Sequence, residues 1–197
     1  MLIPMPGSMD GKAGVLVLCA ANVCRSPMAA ALLARRLAAL GVRVPVRSAG
    51  VLRDGDPPLP EVVSVMATYG LDTASHRSHA VAAAELAAAE LILGMTRDGV
   101  RHAVVTAPEV WPRAFTLKEL IRRGERIGPR PHGEPLAGWL SRAHADRERR
   151  DLLGDSPEDD VADPAGGPPE GYANAAALLD GLVRRLAELC WSHAAAS

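Results

Sequence analysis

The sequence predicts an α/β fold, with a single-domain, doubly wound, four-stranded parallel sheet flanked by helices. Short apolar runs such as Val15–Leu18 and Leu91–Met95 are typical of strands that are buried on both faces of a parallel sheet. Helix-forming segments follow these runs, and strands that alternate with helices indicate a doubly wound sheet. The chain has 197 residues, of which 48% are hydrophobic and 23% are charged, so it can bury the core of one domain.

Strands and helices alternate along the whole chain. The predicted strands are Val15–Leu18, Val42–Arg47, Leu91–Met95 and Glu109–Phe115. The predicted helices are Ser26–Leu40, Pro60–Tyr69, Ala82–Ala88, Thr96–Thr106, Thr116–Arg123 and Gly171–Cys190. Pro27 suits the first turn of a helix, and Gly41 suits the stop that follows its last turn. Pro112 marks the last strand as an edge strand or a short piece, because proline cannot donate to a neighbouring strand.

Two segments fall outside this alternation. Residues 1–13 contain Pro, Gly and Ser without an apolar run of signal-peptide length, and they predict a flexible leader. Residues 14–197 form the predicted domain, with an insertion at about 124–158 where apolar periodicity fades. Within the insertion, one polar helix is predicted from Leu136 to Leu153.

Composition excludes several classes of function. The net charge of −1 argues against nucleic acid or a membrane surface as the main partner. Three cysteines are too few for a secreted disulfide scaffold, and none has a His or Cys partner at zinc spacing. No metal or cofactor is therefore expected, and a reducing cytoplasm is the expected location. The sequence carries no indication of oligomeric state.

The loop that follows the first strand combines a thiol with an arginine. Cys19 ends the apolar run, and Arg25 comes after five further residues, at the start of a helix. The intervening backbone amides, together with the helix N-terminus, can surround one tetrahedral anion. They belong to Ala20, Ala21, Asn22, Val23 and Cys24. This spacing predicts a phosphate-binding loop with a nucleophile in its floor.

The residue types indicate covalent phosphate chemistry. The loop amides, Arg25 and the Ser26 hydroxyl all favour the thiolate form of Cys19, which is the nucleophilic form. Arg25 can hold two phosphate oxygens and stabilise charge in the transition state. Attack by Cys19 predicts a cysteinyl-phosphate that water then hydrolyses.

Such a reaction needs an acid for the departing oxygen and a base for the water. Asp163 is the preferred candidate, because it precedes a proline in a Gly-rich loop before the last helix. Asp159 and Asp160 are weaker candidates. Asn22 can link the loop to Ser48, at the end of the second strand, whereas His76 and His79 are expected to be structural or solvated.

These motifs, in this order, resemble the low-molecular-weight protein tyrosine phosphatases. The resemblance rests on Cys19-x-x-Asn22-x-Cys24-Arg25-Ser26-Pro27, on Ser48-Ala49-Gly50 and on Asp163-Pro164. It covers roughly residues 14–123 and 159–190, and it implies the flavodoxin-like arrangement of that family. It further implies that Cys19 is the nucleophile, Arg25 the phosphate clamp and Asp163 the general acid. Asn22, Ser26 and Ser48 would stabilise the loop, and a reversible Cys19–Cys24 disulfide would protect the nucleophile.

Three departures from the family pattern concern the surroundings of the site. Ala21 replaces a glycine, which requires a negative φ at that position or an adjusted loop. Ala165-Gly166 follow Asp163-Pro164 without an aromatic residue, and the loop 51–55 also lacks one. Both changes remove surface on which an aryl ring could stack.

The resemblance favours phosphotyrosine in proteins as the substrate, and three alternatives stay open. The first is a phosphatase for a small phosphate ester or for phosphoarginine. The second is a thioredoxin-coupled arsenate reductase, for which Cys190 is the remaining relay cysteine. The third is a catalytically weakened phosphate-binding regulatory protein.

Overall fold

A parallel sheet of four strands forms the centre of the computed structural model, which describes residues 14–52 and 54–192. The strands are β1 (Val15–Cys19), β2 (Val46–Gly50), β3 (Leu91–Gly94) and β4 (Ala114–Thr116), in the spatial order β2-β1-β3-β4. All pairs are parallel, and Cys19 on β1 lies beside Gly50 on β2. The predicted fold class is confirmed. The predicted leader at residues 1–13 lies outside the described residues.

Helices cover both faces of the sheet. They are α1 (Arg25–Ala39), α2 (Pro60–Thr68), α3 (Ala83–Ala88), α4 (Arg97–Thr106), α5 (Leu117–Ile127), α6 (Leu136–His144) and α7 (Pro169–Trp191). Side chains alternate along β1, so Val15 and Val17 belong to the larger core cluster, whereas Leu16 and Leu18 belong to the smaller one. The larger cluster includes the apolar sides of α1 and α7, and the smaller one includes that of α4. Among the described helices, none has the length and apolar composition needed to cross a bilayer.

Two predicted strands have wrong boundaries. The second was predicted at Val42–Arg47, but β2 runs from Val46 to Gly50. Val42 belongs to the turn that ends α1, because its N–H donates to the carbonyl of Leu37. The fourth was predicted at Glu109–Phe115, where a 3₁₀ helix (Pro108–Arg113) comes first and only Ala114–Thr116 pairs. The two prolines of that 3₁₀ helix cannot donate backbone hydrogen bonds to a strand.

Two predicted helices also have wrong ends. The helix predicted at Thr116–Arg123 continues as α5 to Ile127, and Gly124 within it is required by packing. A Cβ at Gly124 would lie 2.9 Å from both Trp139 and Leu189. The helix predicted at Leu136–Leu153 ends at His144.

The stretch predicted to be an insertion, 124–158, contributes to the same core. Trp139 on α6 is fully buried, and Leu140 and Ala143 are buried with it. The boundaries of the insertion stay a prediction, but this stretch is packed against the rest of the domain rather than laid on its surface.

Arg147 joins this stretch to the edge strand β4. Its guanidinium lies between the rings of Trp111 and Phe115, at 3.9 and 4.0 Å from their centroids. It forms an ion pair with Glu119, and Nη2 donates to the carbonyl of Ala114 on β4 at 2.8 Å. At the opposite edge, Gly50 on β2 forms a bridge with Ala80.

Candidate active site

The loop between β1 and α1 brings a thiol to the N-terminus of a helix. Cys19 is the last residue of β1, α1 begins at Arg25, and no side chain caps the helix at Cys24. The amides of an uncapped first turn are donors without helical partners, and the helix dipole adds positive potential there. An anion bound in this loop would satisfy these donors.

Two groups donate toward the sulfur of Cys19, which is buried. The N–H of Asn22 donates to Cys19 Sγ at 3.2 Å, and Ser26 Oγ lies 3.0 Å from the same sulfur. Ser26 Oγ accepts a hydrogen bond from Asn22 Nδ2 at 2.9 Å, so its own proton is free to point at the sulfur. Both groups are placed to donate hydrogen bonds to the sulfur atom of Cys19.

Asn22 organises the loop, and all of its amide groups have partners. Its Nδ2 also donates to Ser48 Oγ at 2.9 Å, and its Oδ1 accepts from the N–H of His79 at 3.2 Å. The backbone of Asn22 has a φ of 54°, a left-handed conformation that asparagine tolerates better than most residues. The structure therefore brings Asn22, Ser26 and Ser48 together.

The left-handed position of the loop is Asn22 rather than Ala21, which has no positive φ. The methyl group at Ala21 is thus compatible with the loop conformation. Close approach instead falls on Gly50, where a Cβ would lie 3.0 Å from the carbonyl oxygen of Ala20. This contact explains why a glycine ends β2 opposite the loop.

Arg25 faces the loop and is bound to Asp163. Arg25 is only 7% exposed, and its Nη2 lies 2.5 Å from Asp163 Oδ2. Its Nη1 donates to the carbonyl of Val161 at 3.0 Å, whereas its Nε is buried with no hydrogen-bond partner among the described residues. A buried guanidinium N–H without an acceptor is a costly feature that an anion in the loop would satisfy.

Cys24 and Cys190 are both unsuited to act as nucleophiles. Burial, reinforced by the charges of Asp163 and Cys19, raises the pKa of Cys24 to about 12. Burial also raises the pKa of the Cys190 thiol on α7 well above its usual range. All three cysteines are free thiols in this structure.

Asp159 and Asp160 are held away from an acid role by their partners. Asp159 is paired with Arg97 and Arg122, and its buried carboxylate binds both guanidinium groups. The carboxylate of Asp160 accepts from the backbone N–H groups of Arg97 and Ser156. Of the three aspartates considered, Asp163 is the one that contacts Arg25.

His76 has a structural role beside the loop, which agrees with the expectation from the sequence. Its Nε2 lies 2.7 Å from the carbonyl oxygen of Asn22, and because a carbonyl only accepts, Nε2 is the donor. This hydrogen bond holds the backbone of Asn22, the residue of the loop with a positive φ. His79 Nε2 lies 3.1 Å from Glu85 Oε1, within hydrogen-bond distance.

Leu52 lies beside the loop, and the sequence had not indicated it as a residue of the site. Its N–H donates to the carbonyl of Ala20 at 3.1 Å, so it lies beside the loop, and it is 72% exposed. An exposed leucine at the rim can supply apolar contact where the sequence lacks an aromatic residue. Arg53, the next residue, lies outside the described part of the chain.

Within the described residues, no cluster of His, Cys, Asp or Glu side chains has an arrangement that could hold a metal ion.

Comparison with known proteins identifies the same family that the sequence motifs resemble. Residues 14–127 match the family model described as low molecular weight phosphotyrosine protein phosphatase. A probable low molecular weight protein-tyrosine-phosphatase, EpsP, of Ralstonia solanacearum is 39% identical over 106 residues, 54% of this chain and 71% of that protein. A protein-arginine-phosphatase of Geobacillus stearothermophilus is 30% identical over 175 residues, 88% of this chain and 93% of that protein.

Solved structures agree with the sequence matches. The low molecular weight protein tyrosine phosphatase from T. tengcongensis has a TM-score of 0.68 and 31% identity, covering 89% of this chain and 98% of its own. The arginine phosphatase YwlE from Geobacillus stearothermophilus has a TM-score of 0.64 and 31% identity, covering 88% and 90%. The chain belongs to the low molecular weight phosphotyrosine protein phosphatase family, as its motifs indicated.

Proposed function

We propose that this phosphatase hydrolyses phosphate monoesters in two steps at Cys19, with Arg25 as phosphate clamp and Asp163 as acid and base. The observation that carries the proposal is the loop itself. A buried sulfur with two donors lies at the N-terminus of α1, where Arg25 Nε finds no acceptor within residues 14–52 and 54–192. This combination binds a phosphate dianion and presents a nucleophile to its phosphorus atom.

The first step transfers the phosphoryl group to sulfur. The phosphate oxygens accept hydrogen bonds from the loop amides and from Arg25, and the Cys19 thiolate attacks phosphorus opposite the ester oxygen. The S–P bond forms, the P–O bond breaks, and Asp163 gives its proton to the departing oxygen. Asn22, Ser26 and Ser48 keep the loop in shape throughout.

The second step returns the enzyme to its starting state. Water attacks the phosphorus of the cysteinyl-phosphate, and the Asp163 carboxylate takes a proton from that water. The P–S bond breaks, inorganic phosphate leaves, and the thiolate is restored. Neither step requires a metal ion or a redox cofactor.

The preferred substrate class is phosphotyrosine in a protein. Support comes from the EpsP relative, which is named a tyrosine phosphatase and has the higher identity of the two relatives described above. Phosphoarginine is the second candidate, because the relative named an arginine phosphatase matches most of this chain. The exposed Leu52 at the loop rim offers an apolar surface for the leaving group of either substrate.

Two further alternatives have less support. An arsenate reductase would need a relay cysteine, but Cys190 is fully buried within α7. A catalytically weakened binding protein was considered because of Ala21, whose backbone is not left-handed. We further propose a cytoplasmic location, because three cysteines are too few for a secreted disulfide scaffold. We also propose that Cys19 and Cys24, which are free thiols in this structure, can form a reversible disulfide, as the resemblance to the family implies.

The test of the mechanism is hydrolysis of 4-nitrophenyl phosphate in the presence of a metal chelator. We expect turnover by the wild type and only background turnover by Cys19→Ser; full turnover by the variant would contradict the mechanism. Substrate class is tested with matched peptides carrying phosphotyrosine or phosphoarginine. A higher kcat/KM for the phosphotyrosine peptide supports the preferred class, and the opposite ratio supports the second candidate.

A further inference from the structure

We infer that Asp159 is a positioning residue, which fixes the loop that carries Asp163 by clamping Arg97 and Arg122. The inference rests on the proposed function, because it concerns the acid of that reaction. Asp159 itself does not contact the reacting groups. Its effect passes along the chain through Val161 to Asp163.

The clamp joins one buried carboxylate to two helices. Asp159 is 5% exposed, its Oδ2 accepts from Arg97 Nε at 2.7 Å, and its Oδ1 accepts from Arg122 Nη2 at 2.6 Å. Arg97 is the first residue of α4, and Arg122 lies on α5. The segment before Asp163 is thereby attached to both elements.

Further contacts attach the same segment to the domain. Asp160 accepts from the N–H of Arg97 at 2.7 Å through Oδ1, and its carbonyl accepts from Lys118 Nζ at 2.6 Å. The N–H of Val161 donates to the carbonyl of Met95 at 2.8 Å, just past the end of β3. The backbone from Asp159 to Val161 is therefore fixed at three successive residues.

The acid lies immediately beyond this fixed segment. The carbonyl of Val161 accepts from Arg25 Nη1 at 3.0 Å, and two residues later Asp163 binds Nη2 of the same arginine. Two residues span at most about 7 Å of extended chain, so the anchor at Val161 limits where the Asp163 carboxylate can reach. A shift of the clamp would move the acid relative to Cys19.

The anchoring after Asp163 is lighter. The N–H of Ala165 donates to Asp163 Oδ1 at 3.1 Å, and the N–H of Gly166 donates to the hydroxyl of Tyr172 at 3.2 Å. In both contacts the donor is a neutral backbone amide, whereas in the clamp the donor and the acceptor are both charged. The position of Asp163 is thus set mainly from the Asp159 side.

The charge of Asp159 fits a fixed anchor rather than a proton donor. Burial raises the pKa of this carboxyl group, but the hydrogen bonds and charges of Arg122 and Arg97 outweigh burial and bring it below its usual value. Asp159 therefore stays ionised while Asp163 exchanges its proton. Buried ion pairs of this kind are poor sources of stability, and positional definition is the better account of the clamp.

The decisive experiment compares leaving groups in single-turnover phosphorylation of Cys19. Phenyl phosphate has a poor leaving group and needs the acid, whereas 4-nitrophenyl phosphate has a good one and needs it far less. We expect Asp159→Asn to slow the reaction of phenyl phosphate by roughly 10- to 100-fold, since a misplaced catalytic group costs about that much. The loss with 4-nitrophenyl phosphate should be much smaller.

A double variant separates positioning from general damage. Asp163→Ala removes the acid, and we expect a loss of about 10²- to 10⁴-fold with phenyl phosphate. On that background, Asp159→Asn should cause no further loss, because its effect passes through Asp163. A structural defect would instead slow both backgrounds equally.

A matched control is available in Glu119, another buried carboxylate that binds two arginines, Arg123 and Arg147. Glu119→Gln should lower stability without changing the ratio of the two substrates. If Asp159→Asn does not fold, Arg122→Gln is the second variant, since its side chain is 47% exposed and one bond of the clamp remains. It should show the same leaving-group dependence at smaller amplitude.

The outcomes distinguish this inference from the proposed function. Equal losses with both substrates, or full additivity with Asp163→Ala, would overturn the positioning role of Asp159. A wild type without Cys19-dependent turnover would instead contradict the proposed function. Loss that depends on the leaving group and vanishes without Asp163 supports the inference.

Discussion

Phosphate and Asp163 compete for the same guanidinium, so Asp163→Asn should bind inorganic phosphate more tightly while turning over substrate more slowly. In the free enzyme, Arg25 Nη2 is 2.5 Å from Asp163 Oδ2. Arg25 Nε is without an acceptor among the described residues, but a phosphate in the loop has to compete with this carboxylate for Nη2. The variant removes the competing charge and leaves the loop unchanged.

The size of the effect follows from the exposure of the pair. The Asp163 side chain is 44% exposed, so solvent screens the pair, which contributes on the order of 1 kcal/mol. Removing that competition corresponds to roughly 5-fold tighter binding of phosphate. The loss of the acid simultaneously lowers kcat by about 10²- to 10⁴-fold.

Calorimetric titration of phosphate into the wild type and into Asp163→Asn measures the first effect, and steady-state kinetics measures the second. Asp180→Asn is the matched control, because Asp180 binds Arg35 at 3.0 Å in another partly exposed ion pair, between α7 and α1. It should leave phosphate affinity unchanged. Equal or weaker phosphate binding by Asp163→Asn would refute the competition.

Three further outcomes concern reactivity, loop stability and pH. Cys24 should stay unmodified by iodoacetamide at pH 7, with Cys19 alkylated in the same sample, because burial and nearby negative charge raise the pKa of Cys24 to about 12; mass spectrometry locates the label. Asn22→Ala should lower the urea-unfolding free energy by about 2–4 kcal/mol, since it removes three hydrogen bonds and leaves a left-handed residue without them; Ser48→Ala, which removes one, should cost about 1 kcal/mol. The pKa of Asp159 is lower in the folded protein than in the unfolded chain, where it is about 3.9. The ionised carboxylate therefore stabilises the fold above about pH 4, and this contribution is lost as the pH falls through the folded-state pKa. Asp159→Asn should accordingly make stability depend less steeply on pH below about pH 4.

Each of these outcomes has its own contradiction. Labelling of Cys24 as fast as Cys19 in the native protein would contradict the buried neutral thiol. Equal costs for Asn22→Ala and Ser48→Ala would show that Asn22 does not organise the loop. An acid-unfolding curve with the same slope in Asp159→Asn would show that Asp159 takes up no proton there.

The sequence predicted the loop between β1 and α1 better than it predicted the boundaries of several strands and helices. The spacing of Cys19 and Arg25 constrains a short loop between a strand and a helix, so the geometry of that loop leaves few choices. Asn22 and Ser48 are 26 positions apart, yet the parallel pairing of β1 with β2 brings their ends together. A motif that lies at the ends of neighbouring strands is therefore predictable.

The boundaries that failed depend on contacts that a local pattern does not contain. The helix predicted to end at Arg123 continues through Gly124, against which Trp139 packs from α6, a separate helix. The clamp on Asp159 was equally hidden, since its arginines come from two other elements. The sequence alone therefore left Asp159 as a weaker candidate for the general acid.

The two outer strands of the sheet are closed to further pairing in different ways. On β4, Arg147 donates to the carbonyl of Ala114, so a side chain takes the place of a fifth strand. On β2, Gly50 exchanges backbone hydrogen bonds with His79 and Val81, whose chain runs along that edge. Unpaired edges are templates for edge-to-edge aggregation, and proteins commonly cover them. The guanidinium of Arg147, stacked between the rings of Trp111 and Phe115, thus also occupies a backbone acceptor of β4 that an added strand would need.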